Sequence, residues 1–222
     1  MSEKKSDSAL RLRYQTKEFG NTDIHVRTLR DKQQFSDNND VALKLGISSA
    51  TWPLFGIIWD SGQVLAHHMY HHDIQGKRIL EVGCGIGLAS LVLNNRDADI
   101  TATDYHPEAE QFLIENTKLN QGETIPFVRT GWADEKTDLG KFDLIIGSDL
   151  LYDTDHAELL SKFINQHANR QCEVIVVDPG RKQRGSFSTA MEILGYSARR
   201  ITPENVDYLE GPFKGQILLF SR

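Results

Sequence analysis

Three glycines, Gly83, Gly85 and Gly87, alternate with Cys84 and Ile86 in the stretch "LEVGCGIGLAS" (residues 80–90), directly after an apolar run and a glutamate, Glu81. Alternate glycines let a chain turn tightly and bring a ligand close to bare backbone. Roughly 20 residues further on, Asp104 ends a second apolar run, the place where a carboxylate accepts hydrogen bonds from both hydroxyls of an adenosine ribose. The chemistry these residues suit is therefore the capture of an adenosine-bearing cofactor. Two such cofactors use glycine loops. A dinucleotide fingerprint, G-x-G-x-x-G, requires its third glycine at position 88, which is Leu88 here. A pyrophosphate also gains nothing from Glu81 beside it. S-adenosyl-L-methionine (SAM) ends in an amino acid whose ammonium group gains a counter-charge from Glu81, and its ribose needs Asp104. The residues favour SAM over a nicotinamide dinucleotide.

The elements that must position these residues follow from the hydrophobic rhythm. "RILEV" and "DITATD" read as buried strands, and "LASLVLNN" as the helix after the glycines. "PEAEQFLIENTKLN" is a helix with Pro107 in its first turn and Ala109, Phe112 and Leu119 at helical spacing. "IPFVRTG", "FDLIIGSD" and "CEVIVVD" supply three more strands. "DHAELLSKFINQHA" is a helix whose Asp155 and Glu158 are spaced as a capping box, and "SFSTAMEILG" is the next, stopped by Gly195. "SARRI" and "GQILLFS" are final strands with no helix between them. Alternating β and α units imply a parallel sheet with right-handed crossovers, and the closing pair implies an antiparallel strand. Upstream, "YQTKEFGNTDIHVRTL" reads as a hairpin turning at Gly20 and Asn21, followed by a helix N-capped near Asp60 or Ser61. The expected fold is α/β: a Rossmann-like seven-stranded sheet, mostly parallel with an antiparallel last strand, plus an N-terminal hairpin and helical extension. The expected organisation is a flexible arm over 1–13, the extension over 14–72 and the main domain over 73–222.

Composition excludes several classes. The chain has 222 residues with a formal net charge of −6, which does not favour broad electrostatic capture of nucleic acid or of an anionic membrane. Two cysteines, Cys84 and Cys172, make no disulfide framework and suit a reducing cytoplasm. No apolar stretch approaches the ~18 residues of a membrane span, and the first residues lack the apolar core of a secretory signal. A cytoplasmic protein is expected. "HHMYHH" (residues 67–72) holds two i,i+4 histidine pairs, which on a helix can share a metal. No cysteine or carboxylate cluster joins them, so packing and surface roles are expected and no metal site is.

"LEVGCGIG", "TATDYHPEA" and "FDLIIGSDLLYD" resemble the motifs of the seven-β-strand SAM-dependent methyltransferases. "IIWDSGQVLAHHM", Trp132 and "SDLLY" are similar to a lysine methyltransferase group with a D-x-x-Y signature. "VVDPGR" (residues 176–181) resembles the branch that methylates the electron-transfer flavoprotein β subunit. The resemblance implies that Glu81, Gly83 and Gly85 line the methionine end of SAM and that Asp104 holds the ribose. It implies that Tyr105 and Trp132 flank the adenine, that Trp59 closes over the cofactor and that Ser148 borders it. Asp149 and Tyr152 would face the incoming nucleophile, Asp149 orienting an ammonium and Tyr152 accepting a hydrogen bond. The implied activity is SAM-dependent N-methylation, with a lysine-bearing protein as acceptor. A small-molecule amine or ring nitrogen, or a SAM-binding partner protein without turnover, stay open as alternatives. Enzymes that methylate base amino groups carry Asp or Asn, then Pro-Pro and an aromatic, at this strand end; "DLLY" lacks both prolines, so a nucleic-acid partner is not expected. The basic loop "GRKQRG" (residues 180–185) beside the mouth suits an acidic protein surface, or is simply a solvated loop.

Overall fold

The computed structural model describes residues 10–37 and 40–222. Of the arm expected over 1–13, residues 1–9 lie outside the described ones. Leu12 and Arg13 already belong to a strand, because β1 (Leu12–Phe19) pairs antiparallel with β2 (Thr22–Leu29) along its full length. The turn between them uses Gly20 in the left-handed region (φ 60°), and the Tyr70 hydroxyl donates to Asn21 Oδ1 at 2.7 Å.

After a short helix α1 (Val41–Lys44) and a 3-10 turn (Trp52–Gly56), the chain enters α2 (Asp60–His71). The N-cap is Trp59 rather than Asp60 or Ser61, since Trp59 is the last residue with extended backbone. The main domain then runs β3 (Arg78–Val82), α3 (Leu88–Asn95), β4 (Asp99–Asp104), α4 (Ala109–Leu119), β5 (Phe127–Arg129), β6 (Phe142–Ser148), α5 (His156–His167), β7 (Ala168–Asp178), α6 (Arg184–Ile193), β8 (Ser197–Ile201) and β9 (Gln216–Ser221). The sheet order is β5-β4-β3-β6-β7-β9-β8. The first five strands are parallel; β9 runs antiparallel to both β7 and β8, as the missing crossover helix required.

Strand periodicity divides the core. Ile79, Leu144, Ile146, Ile175 and Val177 face the layer of α2, α3 and α4. Leu80, Ile145, Val174 and Val176 face the layer of α5 and α6, where Leu160, Phe163, Phe187 and Met191 meet them. Continuous apolar runs in these strands thus reflect burial on both faces.

Two sequence expectations about helices fail for identifiable reasons. Asp155 has helical backbone (φ −90°, ψ −8°) and caps nothing with its side chain, while Glu158 turns to Lys162 one helical turn on. The capping box is therefore not formed. On α4 the buried face is Ala109, Phe112, Leu113 and Asn116, and Leu119 is exposed.

That asparagine explains how the hairpin is fastened. Asn116 Oδ1 accepts from the Arg27 amide at 2.6 Å, and its Nδ2 donates to the carbonyls of Arg27 (3.3 Å) and Ile86 (3.2 Å). One turn later, Asn120 accepts from the His25 amide (2.8 Å) and donates to its carbonyl (2.7 Å). Two side chains at i,i+4 satisfy the edge of β2 as a third strand would, and Asn116 ties that edge to the glycine loop.

Candidate cofactor and acceptor site

Strand β3 lies between β4 and β6, all parallel, so the carboxyl ends of these three strands share one edge. Glu81, Gly83 and Gly85 come from the end of β3, Asp104 and Tyr105 from β4, and Ser148, Asp149 and Tyr152 from β6. The fold puts these residues at the same edge of the sheet.

Gly83, Gly85 and Gly87 all have positive φ (61°, 55° and 76°), which L side chains rarely adopt. Space is short as well: a Cβ on Gly85 would sit 2.7 Å from the Phe55 carbonyl oxygen, and one on Gly83 would sit 2.6 Å from Leu150 Cδ2. The loop is thus pressed between the 3-10 turn of the extension and the segment after β6. Its shape is locked from below by Glu81, which accepts hydrogen bonds from the Ser90 amide (2.9 Å) and from the Ser90 hydroxyl. Burial pushes the Glu81 carboxyl up to about 7, against the pull of those hydrogen bonds and with help from the nearby Asp104 charge. Glu81, expected as a counter-charge, is enclosed and holds the first turn of α3 through Ser90.

Asp104 is better placed to meet a ligand. Its Oδ2 accepts from the Gly85 amide and its Oδ1 from the His106 amide, each at 2.8 Å. Burial pushes its carboxyl up, opposed by the amides of His106, Gly85 and Tyr105. Each oxygen keeps a second lone pair, so the two can accept from two adjacent hydroxyls, and this acceptor set fits a ribose. Tyr105 is exposed, its hydroxyl donating to the Leu45 carbonyl at 3.0 Å. Behind it, His106 stacks on Phe55 at 3.8 Å, and burial lowers its imidazole to about 3, which keeps it neutral.

The aromatic expectations divide. Trp132 lies near Gly83 and packs edge-on against His156 at 5.0 Å. Trp59 is held by its own neighbours: its indole N–H donates to the Leu54 carbonyl (2.9 Å) and Lys32 Nζ sits 4.4 Å above the ring. The first turn of α2 that follows it reaches Ser148, whose Oγ is 3.6 Å from a Cβ built on Gly62.

On the acceptor side, Asp149 has φ 53°, an uncommon conformation for a residue other than glycine, fixed by its amide's 2.9 Å hydrogen bond to the Val177 carbonyl. Its carboxylate is not free. Arg181 donates to both oxygens, Nε to Oδ1 at 2.7 Å and Nη2 to Oδ2 at 2.9 Å. Tyr152 is exposed and packs edge-on against His156 at 4.5 Å, while His156 Nδ1 donates to the Leu150 carbonyl at 2.7 Å. Partial burial and the carboxylates of Asp104, Asp149 and Asp153 push the Tyr152 phenol up, so it stays protonated near neutral pH. The pairing of Arg181 with Asp149, which needs β6 and β7 to be neighbours, and the contacts of His156 escaped sequence reasoning.

The histidine run plays other parts. His67 stacks on Tyr208 at 3.5 Å and packs against Phe19, and His72 pairs with Glu173 at 3.1 Å. Two surface hollows of about 160 and 320 Å³ lie beside the hairpin, lined by Tyr14 and Leu119 among others and by none of the expected site residues.

Residues 39–192 match the family model described as lysine methyltransferase. Among curated proteins, the electron transfer flavoprotein beta subunit lysine methyltransferase of Mus musculus is 32% identical over 140 residues, covering 61% of this chain and 54% of the relative. Protein N-lysine methyltransferase METTL21A of Danio rerio is 35% identical over 116 residues, covering 47% and 52% respectively. The chain spans about half the length of the curated relatives it matches. A solved structure similar in fold is the magnesium protoporphyrin IX methyltransferase of Synechocystis PCC 6803 with bound SAM. It has a TM-score of 0.59 and 17% identity, covering 87% of this chain and 88% of that one.

Proposed function

The chain belongs to the lysine methyltransferase family, and from that premise we propose that it transfers a methyl group from SAM to the ε-amine of a lysine in a protein. The observation that carries the reading is Asp104. Its two oxygens are braced by the amides of Gly85 and His106 at the mouth of the glycine loop, with a lone pair on each left for a ribose hydroxyl. When bound, SAM supplies an electrophilic methyl on a sulfonium with a built-in leaving group. The chain's own work is then positioning. Asp104 would hold the ribose, Trp132 and Tyr105 would flank the base, and the Gly83 and Gly85 backbone would approach the amino-acid end. Trp59 and Ser148 would border the cofactor from the α2 side. Asp149 and Tyr152 would align the acceptor nitrogen, and such alignment can supply ~7–11 kcal/mol at best. The amine must arrive neutral, although free lysine holds its proton up to a pKa of ~10.4.

An open acceptor side favours a protein substrate over a small metabolite. Tyr152 is 62% exposed, so a side chain reaching in from a folded surface has access. The acidic net charge and the absence of the Pro-Pro pair argue against a nucleic-acid acceptor. Two buried, free cysteines support work in a reducing compartment, the cytoplasm. The test is to incubate the chain with tritiated SAM, first with the electron-transfer flavoprotein β subunit and then with a whole-cell extract. Label retained in a protein band supports the reading. Label only in small molecules redirects it to a metabolite amine, and no label with intact SAM binding makes the chain a binding partner without turnover.

A further inference from the structure

The acceptor site presents a carboxylate whose charge is already cancelled. Both Asp149 oxygens take an N–H from Arg181 in the parallel, two-point geometry that gives guanidinium–carboxylate pairs their strength and orientation. The arrangement is built from behind. Asp178, with no exposed surface at the end of β7, accepts from the amides of Gly180 (2.8 Å) and Arg181 (2.9 Å) through one oxygen. That turn aims the Arg181 side chain back across the sheet edge. Asp149 is fixed equally firmly by its left-handed backbone and its amide bond to Val177.

Resting on the lysine-methyltransferase reading, we propose that Arg181 is the positioning residue that makes the acceptor site prefer a neutral amine to an ammonium ion. A lone Asp149 would hold the protonated lysine as a salt bridge, the unreactive form, and would raise its pKa. Paired with Arg181, Asp149 offers each oxygen's remaining lone pair to an N–H while attracting a cation far less than an unpaired carboxylate would. The carboxylate then orients the amine without trapping its proton.

Asp178 acts on both members of this pair. The carboxylates of Asp104, Asp149 and Asp153 and the Arg181 guanidinium all act on Tyr152. Asp178 and Arg184 stand behind Arg181, and Arg184 acts on Asp178. Burial and these carboxylates raise the Tyr152 phenol above its ordinary range, and arginine stays charged to above ~12.

The test uses n-butylamine as a lysine mimic on enzyme saturated with S-adenosylhomocysteine, with binding followed by ligand-observed NMR at about pH 8 and about pH 10. The neutral fraction of such an amine rises roughly fiftyfold or more between those values. The wild type is expected to bind the probe roughly fiftyfold more weakly at the lower pH. Arg181→Gln is expected to hold it within about threefold at both, and Arg181→Lys, which keeps the charge, to follow the wild type. A merely structural Arg181 would weaken binding equally at both pH values. Parallel pH slopes in wild type and Arg181→Gln, or no probe binding by any protein that binds S-adenosylhomocysteine, overturn the proposal. Failure to bind S-adenosylhomocysteine at all would instead overturn the functional reading itself.

Discussion

Replacing Glu81 with glutamine should make the folded protein less sensitive to rising pH. Glu81 is enclosed, and its carboxyl titrates near 7 in the folded chain against an ordinary value of 4.5. Between those values the folded state holds one proton more than the unfolded state, so stability falls as pH rises. The contribution is complete below about 4.5 and gone above about 7. A separation of about 2.5 units at ~1.4 kcal/mol each amounts to about 3.5 kcal/mol, an upper bound because Asp104 shares the local charge. Glutamine keeps an oxygen for the Ser90 amide and hydroxyl but cannot ionise. Urea unfolding of both proteins at half-unit steps from about pH 5 to pH 8 isolates the term, because other titrating groups cancel in the difference. Wild-type stability should fall relative to Glu81→Gln by up to about 3 kcal/mol across that range. Parallel curves would refute the enclosed-clamp account, and a lost SAM affinity in Glu81→Gln would return the residue to the counter-charge role.

If Asp104 holds the ribose, Asp104→Ala removes a charge-assisted pair of contacts worth ~1.5–3 kcal/mol each, so calorimetry should show SAM affinity falling by about a hundredfold at the least. Asp149→Asn should keep SAM affinity and slow methyl transfer about a hundredfold, the order seen when a reacting group is displaced by ~1 Å; normal rates per folded molecule would remove Asp149 from the acceptor site. Tyr152→Phe should lose less, since it drops one hydroxyl and keeps its packing on His156. Asn116→Ala leaves Arg27 and Ile86 backbone groups unpaired and should cost about 2–4 kcal/mol in urea unfolding, with SAM affinity falling as the glycine loop loosens; an unchanged midpoint would show that the hairpin does not brace the loop.

What the chain discloses in advance follows the range of the forces involved. The α3 and β4 boundaries, the glycine loop and the strand-end Asp104 are written in short, contiguous patterns, and the structure places them at one sheet edge. The helix-free gap between β8 and β9 likewise foretold the antiparallel strand. Asn116 and Asn120 were illegible because a polar residue on a helix face looks like a break in the stripe; only the arrival of β2 gives it partners. The Asp149–Arg181 pair joins segments about thirty residues apart that meet because β6 and β7 are neighbours. At Asp155 and Glu158 a correct motif spacing lost to a simpler local pair, Glu158 with Lys162.

The central claim is that methyl groups pass from SAM to lysine nitrogen at the Asp104–Asp149 edge. The direct measurement is amino-acid analysis of acid-hydrolysed acceptor protein after reaction with methyl-labelled SAM, run with wild type and Asp149→Asn. The account predicts label eluting as methylated lysine from the wild-type reaction and about a hundredfold less from the variant. Label eluting as methylated histidine or arginine, or equal methyl-lysine from both proteins, would contradict it.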